Sequence, residues 1–234
     1  MNTNQYKISD AEKNQSSLMN ATSIEKMNVN TGGLKVVFIG NSITLHAKLP
    51  RIGWYNEWGM AASAAEKDYV HLVIAAIEKK FNRKTDVRIR NLADFERNFQ
   101  NYDFGKNQDL IDFKPDFLIV ALGENVGALE TEEEQIAYRE AFKNLLAGFM
   151  DNSATPKAVV RGVFWPNEWK DKMMQDAAAE FNIPFVKGDF STDESTKAIG
   201  LFEHAGVQAH PNDKGMKAIA ECILAGLFVP DQDR

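Results

Sequence analysis

The strongest constraint on this chain is a repeated alternation. Short apolar or alternating runs are each followed by a stretch with helical periodicity. Residues 34–39 (LKVVFI) form a β-branched run, residues 87–91 (VRIRN) alternate, and residues 117–122 (FLIVAL) are apolar throughout. Residues 158–164 read as a fourth strand, and residues 184–186 begin a short fifth. Helical patterns occupy the intervals: residues 58–81, with Tyr69, Leu72, Val73 and Ala76 on one face, then 132–150, 168–181 and 214–228. The acids at the start of 132–150 lie where the helix dipole favours negative charge, a solvated helix start. A strand that is apolar throughout has no solvent face, so its sheet must be covered on both sides. Strands separated by helices need crossover connections and pair in parallel. The predicted class is α/β, a three-layer α/β/α sandwich around a five-stranded parallel sheet.

No repeat and no Pro/Gly linker divides residues 34–234, so one domain is expected there. Residues 1–33 are polar, rich in Asn, Ser and Lys, and end in Gly32-Gly33. They carry too little apolar surface to offset the entropy of ordering and read as an N-terminal arm.

Composition narrows the function classes. A net charge of −6 with no basic stripe removes the electrostatic basis for nucleic-acid binding. The single cysteine, Cys222, cannot form an intrachain disulfide and reads as a small core residue. No stretch approaches the ~20 apolar residues of a membrane span. The first residues lack a basic-then-apolar signal pattern, so the expected location is cytoplasmic, or secreted or periplasmic if a leader was removed. The four histidines lack zinc-ligand spacing, and His71 and His204 read as structural. There is no Gly-rich dinucleotide or P-loop motif and no Gly-x-Ser-x-Gly elbow. Neither a metal nor an organic cofactor is expected.

In a parallel α/β sheet, ligands bind beyond the carboxyl ends of the strands. Those positions hold Gly40-Asn41-Ser42-Ile43-Thr44, Gly123-Glu124-Asn125 and, after the fourth strand, Phe164-Trp165-Pro166-Asn167-Glu168-Trp169; His210-Pro211-Asn212-Asp213 precedes the last helix. A serine, an amide and a histidine therefore converge on one edge. Serine needs a base to become a nucleophile, imidazole can serve near neutral pH, and a tetrahedral oxyanion needs fixed donors. Ser42 is the candidate nucleophile and His210 the candidate base. The Asn125 side chain and the Ser42 backbone N–H are the candidate oxyanion donors.

In order and spacing these segments resemble the SGNH (GDSL-type) hydrolases. Gly40-Asn41-Ser42-Ile43 resembles their Gly-Asp-Ser block, Gly123-Glu124-Asn125 their Gly-x-Asn block, and His210-Pro211 their histidine block. The likeness spans residues 35–228 and implies a flavodoxin-like sheet with cofactor-free ester hydrolysis. Three positions depart from the pattern. Asn41 replaces an aspartate. Glu96 stands where a glycine usually offers a backbone N–H to the oxyanion; that N–H survives the substitution, while the loop geometry of glycine need not. Val207 stands three residues before His210, where the triad aspartate is expected. The candidate orienting acids are then Glu203, Asp189 and Asp213, with a backbone carbonyl on the imidazole as the alternative.

Asn41, His46, Trp54, Trp165 and Trp169 are candidate pocket residues; the indoles, with Trp58, could form a platform for a sugar ring or acyl chain. The expected function is a serine ester hydrolase that removes a short acyl group, such as acetyl, from a carbohydrate or other polar alcohol. The alternatives are an acyl thioesterase or lysophospholipase-like enzyme, and a non-catalytic carbohydrate-binding member of the fold. The expected partner is a small-molecule or carbohydrate ester, and the oligomeric state is open.

Overall fold

Alternation along the central strands dictates the layers. In a computed structural model, which describes residues 24–27, 31–151, 154–188, 190 and 192–228, Val36 and Phe38 face one core while Val37 and Ile39 face another. Phe117 and Ile119 join the first set, and Leu118 and Val120 the second. Successive side chains of a strand point to opposite faces, so two cores on one sheet follow directly.

The strands are β1 (Ile24–Met27), β2 (Leu34–Gly40), β3 (Thr85–Asn91), β4 (Phe117–Ala121), β5 (Lys157–Arg161) and β6 (Phe185–Val186). Their order in the sheet is β1-β3-β2-β4-β5-β6. The five predicted strands, β2 to β6, are parallel, and their order is that of a flavodoxin-like sheet. β1 is added to the β3 edge and runs antiparallel to it, with Ile24 opposite Arg90. It lies within the segment read from sequence as a polar arm.

The helices are α1 (Tyr69–Phe81), α2 (Ala93–Arg97), α3 (Gln108–Asp112), α4 (Glu132–Met150), α5 (Glu168–Ala179), α6 (Ala205–Gln208) and α7 (Asp213–Leu227). α1 and α7 cover one face of the sheet through Tyr69, Val73, Ile77, Met216, Ile219 and Ile223. α4 and α5 cover the other through Tyr138, Phe142, Leu146, Met174 and Ala177. Side-chain caps fix where several helices begin. Asp68 accepts from the His71 N–H, and Thr131 with Glu134 forms a capping box at α4. The predicted helix over 58–81 is therefore shorter than expected. Asp68 also accepts from the Gly59 N–H at 3.1 Å, so the chain before it folds as a loop. That loop packs Trp54, Met60 and Ala61 against Ala198 and Val207 in a third, small core. No helix among the described residues is long and apolar enough to cross a membrane.

Candidate active site

The turn after β2 depends on its glycine. A Cβ on Gly40 would overlap the Thr44 hydroxyl and lie 3.0 Å from the Ala121 carbonyl. The chain can therefore bend tightly between β2 and β4 only without a side chain there. The Asn41 carbonyl then accepts from the N–H groups of Thr44 and Leu45, both at 3.0 Å, and the Asn41 side-chain oxygen accepts from Ile43 N–H at 3.1 Å. Ser42 sits half-buried at the apex, its carbonyl held by the Met60 N–H at 2.8 Å. Among the described residues the Ser42 N–H has no protein acceptor, which leaves it available to a ligand oxygen.

His210 arrives from the opposite end of the chain. Asn212 caps α7, accepting from the N–H groups of Lys214 at 2.9 Å and Gly215 at 3.1 Å. Its amide also donates to the carbonyls of Ser195 and Lys197. A Cβ on Gly215 would collide with the Thr196 carbonyl, so the helix docks closely on that segment. The His210 carbonyl accepts from Ala198 N–H at 2.9 Å. With its backbone so anchored, His210 brings Nε2 to 2.8 Å from Ser42 Oγ. Nδ1 lies 2.7 Å from the Gly206 carbonyl. A carbonyl only accepts, so Nδ1 carries the proton and Nε2 presents its lone pair to the serine hydroxyl. Burial pushes the His210 pKa down to about 4, against the raising effect of the Gly206 carbonyl. The imidazole is thus neutral and able to accept a proton at ordinary pH.

The carboxylates considered for orienting His210 lie elsewhere. Asp213 is spent on Ser63 N–H and hydroxyl, at 2.8 and 2.7 Å, and on Lys67 at 2.9 Å. Glu203 is exposed, and Asp189 lies outside the described residues. Val207, at the position of the expected aspartate, is buried beside Trp54 in the small third core. The imidazole is oriented by the peptide carbonyl of Gly206, the alternative noted from sequence.

Beneath the serine runs a buried polar chain that sequence reasoning missed. Arg161, at the end of β5, donates to Glu124 at 2.6 Å, with side-chain exposures of 0% and 2%. Glu124 also accepts from Phe164 N–H at 2.8 Å and from Asn41 Nδ2 at 2.6 Å. Asn41 Nδ2 donates in addition to Glu96 at 2.9 Å. Glu96, fully buried, accepts from Gly123 N–H and from Asn125 Nδ2, each at 2.5 Å. Burial first, and the neighbouring Glu124 second, raise the Glu96 pKa above the ordinary carboxylate value. The backbone N–H of Glu96 donates to the Leu92 carbonyl at 3.2 Å within α2. The expectation that it faces an oxyanion is corrected: the helical turn uses that donor, and the side chain enters the site instead.

No protein-family model matches the sequence, and no curated protein matches it. Solved structures do. A single-residue variant of the acetyl-xylooligosaccharide esterase Axe2 from Geobacillus stearothermophilus superposes with a TM-score of 0.52 at 16% identity, covering 89% of this chain and all of that one. The Axe2 acetylxylan esterase itself gives 0.51 at 18% identity, covering 87% of this chain and 98% of that one. A catalytic mutant of the same enzyme gives 0.51 at 17%. This chain has the fold of these acetylxylan esterase structures.

Against the SGNH pattern, two of the three departures touch each other. An aspartate at 41 would put a third carboxylate against Glu96 and Glu124. The amide of Asn41 instead gives a hydrogen to each. The joint change of Asp to Asn and Gly to Glu was the available signal. Asn41 is fully buried, so it holds the Ser42 turn from below and does not line a pocket. Trp54 is likewise buried, filling the third core with its N–H on the His46 carbonyl at 3.2 Å, and is corrected from pocket wall to core. Trp165 packs its ring edge-on against His210 at 5.4 Å. Trp169 is 50% exposed at the start of α5. His46 is half-buried, with Nδ1 2.6 Å from the Ala47 carbonyl; burial lowers its pKa, and its charge would further disfavour protonation of His210. His204 caps α6 and His71 bonds Asp68 at 2.8 Å, both structural as read from sequence. Among the described residues no cluster of metal-ligating side chains occurs.

Proposed function

We propose that this protein is a serine ester hydrolase working through a Ser42–His210 dyad, and that it removes a short acyl group from a carbohydrate or other polar alcohol. The observation that carries this reading is the 2.8 Å contact between Ser42 Oγ and His210 Nε2, with Nδ1 fixed by the Gly206 carbonyl. Ser42 Oγ attacks the acyl carbonyl as its proton passes to Nε2. The oxyanion is received by the Ser42 N–H and one N–H of Asn125. His210 then returns the proton to the departing alcohol, leaving an acyl-serine. Water, deprotonated by the same Nε2, releases the acid and restores the serine. A neutral carbonyl on Nδ1 holds the tautomer that a triad aspartate would hold, without its charge.

The substrate class rests on two supports. Trp165 stands edge-on to the base, where an indole face or edge can meet a sugar ring or a small acyl group. The structures that share the fold include an esterase described as acting on acetylated xylo-oligosaccharides. A non-catalytic carbohydrate-binding reading would be favoured by a serine and histidine too far apart to touch, which is not what is observed. The test is turnover of p-nitrophenyl acetate and of acetylated xylo-oligosaccharides. Ser42→Ala is expected to lower kcat by at least about 10³-fold, because loss of the nucleophile leaves only binding and oxyanion stabilisation. Hydrolysis by the variant at the parent rate would overturn the proposal.

A further inference from the structure

Asn125 is gripped at both ends of its amide by two consecutive residues of α2. Its Nδ2 donates to Glu96 Oε2 at 2.5 Å, and its Oδ1 accepts from the Arg97 guanidinium at 3.0 Å. An amide has two N–H groups on one end and an acceptor on the other, and the two ends are nearly the same shape. Turning the amide over would set Oδ1 against a carboxylate and Nδ2 against a guanidinium, two repulsions in place of two hydrogen bonds. Glu96 itself cannot rotate away, because its other oxygen accepts from Asn41 Nδ2 and Gly123 N–H. With one N–H spent on Glu96 and the carbonyl on Arg97, a single Nδ2 hydrogen is left for a substrate.

We propose that Glu96 and Arg97 are a two-ended clamp that positions Asn125, fixing its amide so that the remaining Nδ2 hydrogen serves the oxyanion. The inference rests on the reading of Asn125 as an oxyanion donor. It assigns a use to the glutamate that stands in place of the usual glycine. The glycine's backbone donor is gone, and its replacement reinforces the side-chain donor. Both members of the clamp are positioning residues that act through Asn125.

Charge determines how the clamp responds to pH. Glu96 faces Glu124 from the loop after β4, backed by Arg161 of β5; Tyr138 of α4 and Lys170 of α5 also feel its charge, and Arg97 lies on its own helix. As a carboxylate, Glu96 accepts all three of its N–H partners. Once protonated, on the oxygen facing Asn125 that has a single N–H on it, it carries a hydrogen that needs an acceptor of its own and becomes a weaker acceptor for the Asn125 amide. Burial and Glu124 raise the pKa of Glu96, whereas burial lowers that of His210. Lowering the pH should therefore loosen the clamp before it protonates the base.

The experiment is steady-state hydrolysis of p-nitrophenyl acetate across pH by the parent, Asn125→Ala, Glu96→Gln, Arg97→Met, Arg97→Lys and the double variants Glu96→Gln/Asn125→Ala and Arg97→Met/Asn125→Ala. Asn125→Ala is expected to lower kcat by about 10²–10³-fold. Glu96→Gln and Arg97→Met should each lower kcat by about 10- to 100-fold, the worth of one charge-assisted hydrogen bond, with KM nearly unchanged. Arg97→Lys should recover part of that loss. Each double variant should be no slower than Asn125→Ala alone, since a residue acting through Asn125 has nothing left to act on. The acid limb of kcat should move to lower pH in Glu96→Gln. Arg97 is exposed, so its substitutions test the clamp even if Glu96→Gln fails to fold. Losses that multiply in the double variants would overturn the clamp while leaving the esterase reading intact. Asn125→Ala at the parent rate would overturn the oxyanion assignment and the clamp with it.

Discussion

At the scale of single residues, the site trades a charged orienting group for a peptide carbonyl. A triad aspartate both selects the imidazole tautomer and stabilises the imidazolium. Gly206 does the first and does the second only weakly, as its carbonyl is a dipole and not an ion. Two consequences follow. No carboxylate substitution near His210 should act as the loss of a triad acid does: Glu203→Gln and Asp213→Asn are expected to keep kcat/KM for p-nitrophenyl acetate within about threefold of the parent, against the roughly 10⁴-fold loss known when a true triad aspartate is replaced. His210, with its pKa pushed down to about 4, is neutral above that pH and protonated below it, so in the proposed role of base it should limit activity only in the acid range. A loss of 10²-fold or more in either variant would show that a carboxylate does reach the imidazole in solution.

At the scale of elements, the buried chain from Arg161 through Glu124, Asn41 and Glu96 to Asn125 ties together the carboxyl ends of β5, β4, β2 and β3. Such a chain keeps four strand ends in fixed relation, and with them Ser42 and the Asn125 amide. It also holds buried charge, the Arg161–Glu124 pair. Removing one member of a buried ion pair is far more damaging than replacing both, because the other is left uncompensated. Arg161→Met should lower unfolding free energy by about 3–5 kcal/mol, read from the midpoint of urea denaturation. A change within about 1 kcal/mol would mean that Glu124 is not relying on Arg161.

The same elements show what could be read in advance. The strands were legible because apolar runs such as residues 117–122 are short and bounded, and because helices between strands leave few topologies. Ser42, Asn125 and His210 stood out because each follows a strand or precedes a helix, where local spacing places it at the sheet edge. Their partners were not legible. Arg161 and Glu124 lie on either side of α4 in sequence and meet only through strand pairing. Trp54 and Trp165 looked alike as pocket residues. Their fates differ because the loop carrying Trp54 folds onto residues 198–207, a long-range packing decision that no local pattern encodes. Glu96 was identified as a position but not as a side chain, since whether α2 forms there decides between its backbone and its carboxylate.

At the scale of the whole molecule, the fold brings residue 42 and residue 210, 168 positions apart in the chain, together at the carboxyl edge of the parallel sheet. α1 and α7 pack on the same face, so the helix that follows His210 is seated against the helix that follows the Ser42 loop. The small third core then closes over the segment that carries Gly206 and His210. A convergent pair of this kind makes one serine far more reactive than every other hydroxyl in the chain. The most direct measurement is peptide mass spectrometry after treatment with diisopropyl fluorophosphate. A single diisopropylphosphoryl adduct on Ser42, formed at least about 10²-fold more slowly in His210→Ala, is the predicted result. An unmodified Ser42 in the folded parent protein, or labelling at the same rate without His210, would contradict it.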